Sequence, residues 1–204
     1  MIRFLKRCAR RVLAPLLKNK NFVMRPDGES RKGLVQLIDS LGQDSLTLVE
    51  IGSYKGESAE IFLATGKVKR IYCVDPWQMY YDPDDGAAFT DMVKVEADFD
   101  RRHASDSRVV KVRGTVDTFV EKYANDSEVS GKIDLVYIDG LHTYEGVHHD
   151  IEMTLAHIKP RIAIAGHDYH RDGWPGIVKA IDELLGAPDS TFPDGSWLKK
   201  LCRY

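Results

Sequence analysis

SLTLVEIGSYKGESA, residues 45–59, decides the fold. Leu46, Leu48, Val49 and Ile51 make a short, nearly continuous apolar run, the pattern of a strand buried on both faces. Gly52 and Gly56 interrupt it, and from Glu57 to Ala64 the apolar positions Ala59, Phe62 and Leu63 follow helical spacing. A buried strand that runs through a glycine turn into a helix is the first half of a parallel βαβ unit.

The unit repeats along the chain. RIYCVD (70–75), SRVVKVRG (107–114), KIDLVYID (132–139) and RIAIAGHD (161–168) read as four more strands. Helical spacing appears before the first strand, where Ser30 is placed to cap a helix through Leu34, Leu37, Ile38 and Leu41, with Gly42 just past its end. It returns in DTFVEKYA (117–124) and along Tyr144, Val147, Ile151, Leu155 and Ile158, where Pro160 stops it. Pro175 opens a last helix through Ile177, Ile181, Leu184 and Leu185. TFPDGSWLKKLCRY (191–204) reads as a closing hairpin that turns near Asp194-Gly195. The expectation is a doubly wound α/β domain with a mostly parallel, seven-stranded, Rossmann-like sheet and a C-terminal antiparallel hairpin.

Composition allows one such domain. The chain has 204 residues, 43% of them hydrophobic and 29% charged, and a net charge of −2 that points to no nucleic-acid partner. Cys8, Cys73 and Cys202 lack metal or redox spacing and read as reduced thiols of a cytoplasmic protein. The exception is MIRFLKRCARRVLAPLLKNK, residues 1–20, whose seven Lys and Arg residues precede any acid. With its apolar residues on one face, this is a basic amphipathic segment suited to an anionic membrane surface, and too short to span one. A helix packed on its own domain or on a second subunit explains it equally. We therefore divide the chain into a leader, 1–25, and a domain, 26–204. Peripheral contact with the inner membrane face and homo-oligomerisation stay open.

Open α/β sheets bind ligands beyond the carboxyl ends of their strands. Glu50, Asp75, Asp139 and the His167-Asp168 pair all fall at such ends. Gly52 and Gly56 let backbone approach a ligand at the mouth of a helix. Asp75, at the end of the next strand, is placed to accept hydrogen bonds from both ribose hydroxyls. The dinucleotide pattern Gly-x-Gly-x-x-Gly is not met, because Ser53 and Tyr54 stand between the glycines. Glu50 would repel a pyrophosphate and suits a cationic ligand such as S-adenosylmethionine.

LVEIGSYKGESA (48–59), YCVDPW (72–77), LVYIDGLHTYEGVHHDI (135–151) and IAGHDY (164–169), in this order, resemble class I S-adenosylmethionine-dependent methyltransferases. More narrowly, they resemble the branch of catechol O-methyltransferase and the macrolide-sugar and antibiotic O-methyltransferases. The resemblance runs from about residue 30 to the C-terminus and includes the Asp-Gly-Ser-Trp strand at 194–197. It implies that Glu50, Gly52 and Gly56 surround the methionine part of the cofactor. It also implies that Asp75 holds the ribose, Trp77 flanks adenine, and Gly114 and Thr115 contact it; a core aromatic is the other reading of Trp77.

Metal-dependent relatives place acidic or amide ligands at the ends of strands four and five, where this chain has Asp139, His167 and Asp168. Magnesium prefers oxygen, whereas imidazole suits manganese better, so His167 leaves the metal and its need open. His142 stands where the catechol enzyme has a lysine base, and a neighbouring cation would keep its imidazole neutral and ready to take a proton. Asp139 and His142 are the expected catalytic pair. His148, His149 and His157 read as surface residues, and His103 as a loop residue. Residues 77–98 read as a lid over the acceptor, with Tyr80, Tyr81 and Phe89 to stack and Asp82, Asp84 and Asp85 to meet hydroxyls or amines. The implied activity is O-methylation of a small hydroxylated acceptor, a sugar or glycan precursor, with metal assistance open. A nicotinamide-dependent oxidoreductase or a non-catalytic binding scaffold on the same fold are the alternatives.

Overall fold

The computed structural model describes residues 28–82, 84–170 and 172–201. The basic leader, and with it the expected membrane contact, lies outside the described residues. No helix among those residues is long and apolar enough to cross a membrane.

The first helix, α1 (Gly28–Ser40), precedes β1 (Leu46–Ile51), α2 (Glu57–Ala64) and β2 (Val68–Asp75). A 3-10 turn (Gly86–Phe89) and α3 (Met92–His103) lead to β3 (Val109–Arg113), α4 (Val116–Tyr123) and β4 (Leu135–Ile138). Then come α5 (Tyr144–Met153), β5 (Ala163–Gly166), α6 (Pro175–Leu185), and the hairpin strands β6 (Ser190–Thr191) and β7 (Trp197–Lys200). The seven strands form one sheet in the order β3-β2-β1-β4-β5-β7-β6. The first five are parallel, and β7 runs antiparallel to both β5 and β6.

The all-buried β1 follows from having helices on both sides of the sheet. Leu46 and Leu48 pack with Leu34, Phe62 and Phe99 on one face. Val49 and Ile51 pack with Phe119, Ile151 and Ile181 on the other. A strand that feeds two cores has no solvent face, so its alternation of apolar and polar residues disappears.

Three local readings need correction. Ser30 sits inside the first turn of α1, which begins at Gly28, and does not precede it. Helix α5 ends at Met153 and passes into a π-helical turn, Thr154–Ile158. The wider turn rotates Leu155 outward, where it is 38% exposed, while Ile158 stays in the core. His103 is no loop residue: it is buried as the last residue of α3, with its Nε2 3.0 Å from the carbonyl oxygen of Gly56.

Register positions the functional end. Ile51 pairs with Val74 and with Ile138, and Ile138 pairs with Gly166. The next residue on each strand therefore lies in one row: Gly52, Asp75, Asp139 and His167. Backbone bonds hold that row, with Gly52 N–H donating to Val74 at 2.8 Å, Asp139 N–H to Ile51 at 2.8 Å and His167 N–H to Ile138 at 3.1 Å.

Candidate functional site

A cavity of about 290 Å³ opens over this row. Its first half is made by the turn after β1. Gly52 has φ +91°, and a Cβ there would come within 2.1 Å of the Asp139 carbonyl oxygen, so only glycine lets the β1 turn lie against β4. Gly56 is held behind the turn rather than in the cavity lining: with φ +75° it caps α2, and a Cβ would strike His103. Asp75 lines the cavity, and its carboxylate accepts from the Tyr54 amide at 2.8 Å and the Trp77 amide at 2.7 Å. Burial nevertheless pushes its pKa up to about 6, against the pull of those amides.

Glu50 reaches the site from below. It is fully buried, does not line the cavity, and accepts hydrogen bonds from Ser53 Oγ at 2.7 Å and from Ser58 Oγ. Both serines belong to the turn and the first residues of α2, so the carboxylate fastens that turn and places negative charge at a helix N-terminus. Gly114 and Thr115 line the cavity where β3 ends, with the Gly114 amide on the Asp75 carbonyl at 2.9 Å.

Trp77 takes the second of its two readings, a core aromatic. Its indole is 3% exposed, packs on Phe99 with ring centroids 5.1 Å apart, and donates through Nε1 to the Tyr54 carbonyl at 2.8 Å. It belongs to the core beneath the lid segment and does not line the cavity. Of the lid aromatics, Tyr81 lines the cavity. Phe89 is buried in the core, and Tyr80 is half exposed and stands edge-on to Phe89.

The other half of the cavity is acidic. Asp139, at the end of β4, and Asp168, after β5, face the imidazole of His142. His142 Nε2 lies 2.9 Å from Asp168 and 4.0 Å from Asp139. Asp82, from the segment between β2 and α3, accepts from both the backbone amide and Nδ1 of His142, each at 2.7 Å. Trp174 packs beside the ring, with centroids 4.8 Å apart.

Among the described residues no lysine or arginine pairs with His142, contrary to expectation. Burial alone would lower its pKa, but hydrogen bonds to Asp168 and Asp82, with Asp139 nearby, raise it well above the ordinary value. Against its own burial, His142 and His167 hold the Asp168 carboxyl far below the usual range. Both ring nitrogens thus face carboxylates, Nδ1 toward Asp82 and Nε2 toward Asp168, an arrangement that favours the protonated ring.

Asp139, His142 and Asp168 each offer a ligand atom within 4.8 Å of the others. That trio contains His142 where the sequence reading had His167. His167 stays beside it, with Nδ1 3.1 Å from Asp168 and 4.0 Å from Asp139, while Nε2 donates to the Asp194 carbonyl at 2.6 Å. Asp168 adopts φ +63°, a left-handed conformation unusual for aspartate, and the turn places both of its oxygens toward histidines. His148 and His149 point away, toward Glu152 and Asp117 respectively.

Sequence reasoning missed Asp82 as the partner of His142, because sixty residues separate them and only the fold brings them together. It also missed Trp174 and Asp150, both of which line the cavity. For Asp150 a signal existed: an acid beside Val147 and Ile151 falls on the buried stripe of its helix.

Comparisons with known proteins agree with this architecture. Residues 49–169 match the family model described as "Methyltransferase domain". CalS11, a calicheamicin methyltransferase, superposes with a TM-score of 0.62 at 18% identity, covering 94% of this chain and 91% of that one. An O-methyltransferase from Bacillus cereus, solved with S-adenosylhomocysteine, gives 0.60 at 17% identity, covering 94% and 88%. "Uncharacterized protein R132" of Acanthamoeba polyphaga mimivirus is 21% identical over 160 residues, which span 74% of this chain and 65% of that protein's length. With this match lying across the strands that build the cavity, the chain belongs to the methyltransferase-domain family.

Proposed function

We propose that this enzyme is an O-methyltransferase acting on a small polyhydroxylated acceptor, a sugar or glycan precursor, with a divalent cation at the acceptor end. The observation that carries the reading is the single cavity, which joins the Gly52–Asp75 half to the Asp139–His142–Asp168 half. S-adenosylmethionine, when bound, supplies an electrophilic methyl on a sulfonium. The first half suits it: a glycine turn that any Cβ would fill, a carboxylate at ribose-binding position, and the buried charge of Glu50 behind a cationic ligand.

The second half suits a hydroxyl acceptor. Asp82, Asp139 and Asp168 are hydrogen-bond acceptors beside the Trp174 ring, a combination that holds hydroxyls on one side and an apolar sugar face on the other. CalS11 is itself described as a TDP-rhamnose 3'-O-methyltransferase, and the likeness in fold is consistent with a sugar acceptor.

His142 is the group we assign to proton removal. Asp82 fixes Nδ1, so Nε2 is the nitrogen turned to Asp139 and Asp168. To accept a proton, Nε2 must first release its own to solvent and give up its contact with Asp168, which a cation on Asp139 and Asp168 would favour; an acceptor hydroxyl entering between them would then replace that contact. Holding that hydroxyl in line with the donor methyl supplies much of the acceleration.

Asp139 and Asp168 bring carboxylate oxygens together at this end of the cavity, with Asp82 also lining it, which fits a divalent cation. Held by Asp139 and Asp168 with the imidazole of His167 beside them, manganese or magnesium would lower the pKa of the acceptor hydroxyl.

The test is calorimetric titration with S-adenosylmethionine, followed by single-turnover assays on nucleotide-sugar acceptors with EDTA or added manganese. Micromolar binding and methylated sugar are expected. No binding by folded protein overturns the cofactor assignment, and turnover unaffected by EDTA removes the cation from the reading.

A further inference from the structure

One polar group in the cavity has no part in this scheme. Asp150 lies in α5, on the stripe that carries Val147 and Ile151 into the core. It is 8% exposed, and among the described residues its carboxylate has neither a hydrogen bond nor an ion pair. A buried acid without a partner is costly to a fold. Burial moves its pKa up to about 7, against the pull of the nearby His149 and with the charge of Asp117 adding to the shift. Asp117, the other acid at this edge, is already engaged: His149 Nε2 lies 2.9 Å from one of its oxygens, and the Thr115 hydroxyl donates to it at 3.0 Å.

Asp150 faces the cavity where the turns after β3 and β4 come together. Val116 and Leu141 supply apolar surface there, and Gly140 keeps the approach open. A Cβ on Gly140 would lie 3.4 Å from Asp150 Oδ2, so a larger side chain at that position would close over the carboxylate. The Gly114 amide bonds to the Asp75 carbonyl, so this pocket adjoins the carboxylate placed for the ribose.

Apolar walls with a single carboxyl group suit a planar heterocycle bearing an amine. A carboxyl accepts from an exocyclic amino group, and when protonated it also donates to the adjacent ring nitrogen. Adenine offers that amino donor and ring-nitrogen acceptor side by side on its pairing edge. We propose that Asp150 recognises the 6-amino group of the cofactor's adenine and so sets the base specificity of the site. The proposal rests on the assignment of the Gly52–Asp75 half to S-adenosylmethionine.

The experiment compares two probes by calorimetry: S-adenosylhomocysteine, and its analogue with hydrogen in place of the 6-amino group. They are titrated into the wild-type chain, Asp150→Leu and Asp150→Asn, each checked for folding by circular dichroism. Wild type should prefer S-adenosylhomocysteine by about tenfold or more, a buried hydrogen bond's worth. Asp150→Leu should bind the two within about twofold of each other, and Asp150→Asn should keep the preference because its amide also accepts and donates.

Equal binding of both probes by wild type overturns the proposal, as does a Leu variant that discriminates like wild type. If Asp150→Leu does not fold, the wild-type preference and its retention in Asp150→Asn decide; loss in that variant counts against the proposal. Folded wild type that binds neither probe overturns the cofactor assignment itself, which separates that failure from a misplaced Asp150.

Discussion

Asp82 Oδ2 accepts two hydrogen bonds from one residue, His142, at 2.7 Å from its backbone amide and 2.7 Å from its Nδ1. The carboxylate thus fixes both the position of the loop after β4 and the orientation of the ring. Asp82 comes from the segment between β2 and α3, so the segment over the cavity completes the arrangement of the histidine it covers. Hydrogen bonds from Asp82 Oδ1 to the amides of Asp84 and Asp85 hold the carboxylate in turn.

Asp82→Ala should therefore lower turnover about 10- to 100-fold while the dissociation constant for S-adenosylmethionine changes less than threefold. Asp82→Asn should be milder, since its amide oxygen still accepts one of the two bonds. Single-turnover rates alongside calorimetry check this. A parallel loss of rate and cofactor affinity would mean that Asp82 only holds the lid segment in place.

His142→Gln should reduce turnover by about 10²-fold or more, the scale of a general base, with cofactor binding intact. Replacement of His167 distinguishes the two imidazoles. His167→Gln should weaken manganese binding, read directly by calorimetry, and leave the cofactor affinity unchanged. If His142→Gln loses manganese and His167→Gln does not, then His142 is the imidazole ligand and its role as base is overturned.

How far the sequence could be read depended on distance along the chain. The strands were legible because β1 must feed two cores, which makes LTLVEI apolar throughout except for Thr47 and for Glu50, whose carboxylate meets buried serines. Gly52, Asp75 and Asp139 were legible as strand ends, and register alone put them in one row. The charge state of His142 was not legible, because it is set by Asp82 and Asp168, which are distant in sequence and adjacent only in the fold. Trp77 was left between two readings for a similar reason: Phe99 and Tyr54 draw its ring into the core, and no spacing reveals that.

Gly52→Ala tests the close approach of the β1 turn to β4. The new methyl would meet the Asp139 carbonyl at 2.1 Å, on a backbone at φ +91° that alanine rarely adopts. The expected cost is about 2 kcal/mol or more in unfolding free energy. Binding of S-adenosylmethionine should fall at least about tenfold, because relief of the clash moves the turn that lines the cavity. Chemical denaturation and calorimetry on the same preparation measure both, and full cofactor affinity in the variant would show that the turn does not need this approach.

Asp150 makes stability depend on pH in the absence of ligand. An unfolded aspartate titrates near 3.9, whereas in the fold burial moves Asp150 up to about 7. Between those values the folded state holds the proton more tightly, so the carboxyl's contribution to stability is complete below pH 4 and is lost as the pH rises through 7. Asn cannot ionise and carries no such term. Asp150→Asn should match wild type near pH 4 and exceed it increasingly toward pH 8, by up to ~4 kcal/mol if the shift is fully expressed. Urea denaturation at pH 4, 6 and 8 reads the difference. A difference that does not change with pH would mean that water or a local rearrangement relieves the carboxylate, so that it is not held as a buried acid awaiting a ligand.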